Sequence, residues 1–154
     1  MVELTAVDRE DESKGKCLVD VSGIVMIREY ERYCIINQSC GEEIYVASSF
    51  TEIKEKLSEF YADFPFYWLE LNKVLYDARV KRCLIKSKEI VSVFEYPNGA
   101  RIDVFNVESS FSYTVVTDES YAELKEKFRG RIAQHKELCK RIKKRFNKSP
   151  TVGD

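Results

Sequence analysis

The chain has 154 residues, of which 44% are hydrophobic, 33% charged and 12% aromatic, enough apolar material for one folded domain and too little length for a second large one. Its longest uninterrupted apolar runs, such as Gly23 to Ile27, fall far short of the roughly 20 residues a bilayer crossing needs. A wholly disordered chain and a helical membrane span are both excluded.

In chain order, Met1 to Lys16 is acidic and polar, the reverse of an export signal, and residues 1–15 read as an acidic N-terminal arm of a cytoplasmic protein. Val19, Val21, Ile24 to Ile27, Tyr33 to Ile36 and Ile44 to Val46 are short runs rich in β-branched and aromatic residues, broken by Gly, Asn, Ser and Glu, and predict strands. Ser49 with Glu52 is a capping box that starts a helix, whose buried stripe is Phe50, Ile53, Leu57 and Phe60. Phe60 to Lys81 crowds Phe60, Tyr61, Phe64, Phe66, Tyr67 and Trp68 around Pro65. There Trp68, Leu71, Leu75 and Ala78 keep helical spacing, while Tyr67, Leu69 and Leu71 alternate as in a strand, so both remain open.

The next segment repeats the first. KCLVDVSGIVMIREY from Lys16 and RCLIKSKEIVSVFEY from Arg82 align at an offset of 66 residues, which sets Cys17, Leu18, Ile24, Val25, Glu29 and Tyr30 on Cys83, Leu84, Ile90, Val91, Glu95 and Tyr96. SFTEIKEKL from Ser49 and SYAELKEKF from Ser120 align at an offset of 71, so the second copy is five residues longer, and a hairpin loop such as Tyr96-Pro97-Asn98-Gly99 is the expected place. Ser120 with Glu123 repeats the capping box. The helix it opens extends through Tyr121, Leu124, Phe128, Ile132, His135, Cys139, Ile142 and Phe146 at steps of three or four, with Gly130 as a weak point and Asn147 to Asp154 as a frayed tail.

The predicted fold is therefore α+β: a single domain over 16–128, made of two similar strand-rich units (about 16–62 and 82–128, joined by aromatic-rich 63–81), each closed by a helix. The units would form an internal pseudo-twofold repeat around one shared core. Residues 129–154 form a basic C-terminal helix and tail.

Catalysis finds little footing. The six glycines form no phosphate cradle, and no zincin or nucleophile-elbow motif is present. Acidic pairs such as Glu42-Glu43 and Asp118-Glu119 fall at turns and helix starts, where they are structural. His135 and Cys139, four residues apart, supply two ligands where a stable metal site needs more, and the five cysteines form no CxxC pair and read as reduced thiols. No catalytic residue, metal, cofactor or small-molecule substrate is expected.

Charge is the better lead. The stretch from residue 129 onward carries nine bases and two acids, leaving the rest of the chain at −8. Arg79, Lys81, Arg82, Lys86 and Lys88 form a second positive cluster, and together with Lys140, Arg141, Lys143, Lys144 and Arg145 they are candidate phosphate contacts for nucleic acid. The apolar face carrying Leu138, Ile142 and Phe146 is a candidate interface for a protein partner or a homodimer.

Val21 to Ile27, followed by EYERYCII, a turn at Gly41 and SFTEIKEKL, resembles the first half of a LytTR-type DNA-binding domain, the output domain of many bacterial response regulators. Leu84 to Lys86, Ile90 to Val93 and Ser120 to Phe128 resemble its second half, so the likeness covers about 16–128. In that family an Arg, a His and a Ser mark the central DNA-contact strand; the aligned positions here are Glu70, Asn72 and Val74, or, in an alternative register, Arg82 at the Ser. The resemblance implies a nucleic-acid-binding transcription regulator. Val115 to Lys127 also resembles the end of small flagellar proteins of the FlbD type, and two such units in tandem would imply a non-catalytic protein-interaction or scaffolding module.

Overall fold

The computed structural model describes residues 1–62 and 67–148, without the side chains of 131–135, 138 and 146–148. The architecture is mixed α+β and rich in strands. Eleven strands, two α-helices and two single-turn 3-10 helices are found among the described residues.

The first half runs β1 (Val2–Val7), β2 (Lys14–Val19), a 3-10 turn (Val21–Gly23), β3 (Ile24–Glu29), β4 (Cys34–Gln38), β5 (Glu43–Val46) and α1 (Phe50–Phe60). The second half runs β6 (Trp68–Leu71), β7 (Val74–Leu75), β8 (Cys83–Lys86), a 3-10 turn (Ser87–Glu89), β9 (Ile90–Tyr96), β10 (Gly99–Asn106), β11 (Phe111–Thr117) and α2 (Tyr121–Lys148). Seven strands form one sheet in the order β2-β1-β5-β4-β3-β8-β6, and four form a second in the order β7-β11-β10-β9.

Local chemistry explains the boundaries. Asp20 accepts from the Ser22 N–H and so starts the first 3-10 turn. Ser49 accepts from the Glu52 N–H at 3.1 Å and Ser120 from the Glu123 N–H at 3.1 Å, satisfying a first-turn donor of each helix. Phe50, Ile53 and Leu57 of α1 are buried, while Phe60 is exposed. On α2, Leu124 is buried and Phe128 packs against the same cluster, whereas Tyr121, Cys139 and Ile142 are exposed. The side chains of Ile132, His135 and Phe146 lie outside the described residues.

Strand alternation wins over helical spacing between the halves. Leu69 and Leu71 are buried while Trp68 and Glu70 are half-buried, the period-2 pattern of β6. Of the aromatic cluster, Phe64 and Phe66 lie outside the described residues. Tyr61 stacks on Tyr67 at 3.8 Å, with Trp68 edge-on to both.

Three expectations are corrected. Residues 1–15 are no arm: Val2 and Leu4 are buried in the first core cluster, because β1 pairs with β2 along its whole length and with β5 at Ala6. The five extra residues of the second half lie in the β10–β11 hairpin and not at Tyr96-Gly99. The turns Tyr30-Tyr33 and Tyr96-Gly99 each enclose two residues, but Cys34 pairs with Val46 whereas Ala100 pairs with Thr117, five residues further apart. Nor is there one shared core about a twofold axis. Apolar side chains gather in two clusters, one around Ile27, Ile36, Phe50 and Leu57, the other around Met26, Leu71, Ile85, Ile102 and Leu124. The halves join through β3 and β8, strands that occupy different places in the two element orders.

Candidate functional site

The β3–β8 seam gathers the cationic residues nearest the middle of the chain. Met26 lies opposite Ile85, Ile27 opposite Leu84, and Arg28 opposite Cys83. Beyond the strand end the Glu29 N–H donates to the Arg82 carbonyl and the Lys81 N–H to the Glu29 carbonyl, both at 2.8 Å. Arg82 donates from Nε and Nη2 to the two carboxylate oxygens of Glu29 at 2.8 and 2.7 Å, and its guanidinium lies 4.6 Å above the ring of Phe50 at the start of α1. This fork-on-carboxylate pairing is the geometry for which arginine is suited. Hydrogen bonds from Arg82 hold the Glu29 carboxyl below its ordinary pKa, and the same bonds raise that of Arg82.

Lys86 is buried, with 1% of its surface exposed. Its ammonium donates to the Ser22 carbonyl at 2.6 Å and lies 6.0 and 5.8 Å from the rings of Tyr67 and Trp68. Burial, reinforced by Lys88, pushes its pKa down to about 8. Arg82 and Lys86 are thus stitches between the halves: the Lys86 ammonium is buried, while Arg82, paired with Glu29, keeps 34% of its side chain exposed.

The other candidates are dispersed. Arg79 is exposed, 3.6 Å from the Asp77 carboxylate, and Lys81 and Lys88 are exposed. On α2, Lys140, Arg141, Lys143, Lys144 and Arg145 are all exposed, and Arg141 lies 3.8 Å from Glu137. Of the proposed interface residues Ile142 is exposed, while the side chains of Leu138 and Phe146 lie outside the described residues.

Two features escaped the sequence reading. Arg28 is nearly buried and donates to the Tyr30 hydroxyl at 3.0 Å and to Glu43 at 3.3 Å, where Asn37 also donates, while the ring of Tyr113 from the second sheet lies 4.9 Å from its guanidinium. A charge directly after the apolar run Ile24 to Ile27 was the available signal. The second feature is an open groove of about 620 Å³ between the β1–β2 and β3–β4 connections, lined by Asp8, Arg9, Glu12, Arg32, Tyr33 and Tyr45. Its mixed charges come from loops distant in sequence.

The thiols offer no nucleophile at the seam. Burial pushes Cys34 and Cys83 up to about 12, far from the thiolate range. Among the described residues no three His, Cys, Asp or Glu side chains gather as a metal site requires, and no helix is long and apolar enough to cross a membrane. No family model matches the chain, and neither does any curated protein or solved structure.

Proposed function

We propose that this chain is a non-catalytic protein-interaction module assembled from two copies of one strand-rich unit. The observation that carries the reading is the engagement of Arg82 and Lys86 across the β3–β8 seam, which pairs Arg82 with the Glu29 carboxylate and buries Lys86 against the Ser22 carbonyl. What supports the two-unit reading is the agreement of details along both halves: a strand, a 3-10 turn, three strands and a Ser-capped helix recur in the same order. In the same way β6 and β7 together take the part of β1. β1 pairs with β2 and then β5; β6 pairs with β8, and β7 with β11. Each unit then has one strand order, with its helix closing its own apolar cluster.

A second reading rests on a separate observation, the exposure of Lys140, Arg141, Lys143, Lys144 and Arg145 on α2. It makes the chain a nucleic-acid-binding regulator of the LytTR kind that contacts phosphates through α2 alone. Titration of mixed duplex DNA at about 50 and about 200 mM salt separates the two, since several phosphate contacts impose a steep salt dependence. The interaction module is expected to give no salt-sensitive binding. Binding at low salt that is lost in the Lys143→Glu, Arg145→Glu variant would establish the second reading instead.

A further inference from the structure

The seam joins unlike positions: β3 is the third strand of the first unit and β8 the second strand of the next. Such a heterologous joint leaves one copy of each surface unused at the ends of the chain. The two unused surfaces are β9, the counterpart of β3, and β2, the counterpart of β8. Both are edge strands in their sheets.

These edges carry exposed apolar side chains, although Arg101 lies 4.2 Å above the ring of Phe94. Leu18 on β2 is 65% exposed, whereas its counterpart Leu84, pressed against Ile27 in the seam, is 3% exposed. On β9, Val91, Phe94 and Tyr96 are exposed, although α2 passes close to the strand. Long edges with apolar side chains are templates for strand addition.

We propose that copies of this chain associate head to tail, β2 of one copy adding antiparallel to β9 of the next in the register of the β3–β8 seam. The proposal rests on the two-unit reading and names a second copy as the partner. Carried over by the 66-residue offset, the seam sets Val93 opposite Leu18 and Phe94 opposite Cys17. The charges agree. Glu29 and Arg82 become Glu95 and Lys16, and Phe50, over which Arg82 lies, becomes the exposed Tyr121. Lys86 and Ser22 become Asp20 and Lys88, again of opposite sign and both exposed. Lys16 lies 3.7 Å from Glu3, and with its side chain 82% exposed it has room to turn to a neighbour. Because the contact is heterologous, every copy added exposes a fresh edge, and growth continues unless the rotation closes a ring.

Sedimentation velocity of the full chain across a concentration series tests this. The wild type is expected to grow beyond a dimer as concentration rises. Lys16→Glu and Glu95→Lys, each placing like charges across the joint, are expected to weaken association by about tenfold, and the double charge swap to restore it. A Leu18→Glu chain mixed with a Glu95→Lys chain retains one sound joint per pair and is expected to stop at a dimer. A wild type that stays monomeric, or assembly indifferent to all three substitutions, overturns the proposal. Hydrogen exchange on the same samples keeps the two claims apart. The Glu29 and Lys81 amides, which donate across the seam, are protected in a monomer if the β3–β8 seam that the joint copies is formed, and exchange freely if the seam underlying the two-unit reading is absent.

Discussion

Arg82 and Glu29, 53 residues apart in sequence, hold each other through two charge-assisted hydrogen bonds of 2.8 and 2.7 Å, while the Glu29 N–H donates to the Arg82 carbonyl and the Lys81 N–H to the Glu29 carbonyl. Each belongs to a different half of the chain, so the pair closes the end of the β3–β8 seam. Bidentate pairing of partly buried charges fixes register as well as adding energy.

Removing either partner leaves the other charge partly buried. Arg82→Ala and Glu29→Ala are each expected to cost about 2 kcal/mol, with a coupling of about 1–2 kcal/mol in a double-mutant cycle. Since the folded state holds the Glu29 carboxyl below its unfolded value, the pair's contribution is present above the unfolded pKa and is lost as pH falls through the folded one. Urea unfolding of the four proteins at neutral and acid pH checks both. Equal acid sensitivity in wild type and Glu29→Ala would show that the pair is not formed in solution.

Lys86 carries the opposite linkage. Its folded pKa of about 8 lies below its unfolded value, so burial of the ammonium penalises the folded state below about pH 8. That penalty is relieved as pH rises toward the unfolded pKa, by about 3 kcal/mol in all. Buried thiols act in the reverse sense above the unfolded thiol pKa, because Cys34 and Cys83 resist ionisation when folded. The contribution of Lys86 is therefore read as a difference: wild type is expected to gain on Lys86→Met between neutral pH and about pH 10. Parallel denaturation midpoints over that range would refute the burial of this charge.

Gly99 follows the two-residue turn after Tyr96, and a Cβ at this position would run into the Thr117 carbonyl of β11. Backbone cannot yield there without breaking the β10–β11 ladder. Gly99→Ala is expected to cost about 3 kcal/mol or more, while Gly15→Ala, where the added carbon meets open space, changes stability by under about 1 kcal/mol. Thermal melts of the two variants make the comparison.

The helix caps give a matched pair of tests. Ser49→Ala and Ser120→Ala each orphan a first-turn N–H and are expected to cost about 1 kcal/mol. Circular dichroism melts will register this, and a loss well under half that at either site would mean the cap is replaced by water.

Much of the fold was legible where a short-range rule applies. Ser49 and Ser120 announce helix starts, Ile24 to Ile27 and Ile44 to Val46 announce strands, and the 66-residue offset exposes the parallel element orders. The sequence misleads where pairing is long-range. Val2 and Leu4 look like part of a polar arm because the strands that bury them, β2 and β5, are joined to them only in space. The β3–β8 pairing was equally hidden, since two similar stretches of sequence say nothing of which strands pair between them. Nor does a basic residue in sequence carry any mark of its acceptor, which for Arg82 is Glu29 and for Lys86 the Ser22 carbonyl.

We propose recognition of protein and not nucleic acid for this chain. Sedimentation of the full chain with a labelled mixed duplex at about 50 mM salt tests it most directly. The expected result is a protein boundary that moves with protein concentration while the duplex sediments alone. Duplex carried in the protein boundary at about 50 mM and released at about 200 mM salt would contradict it, and would assign the function to the basic face of α2.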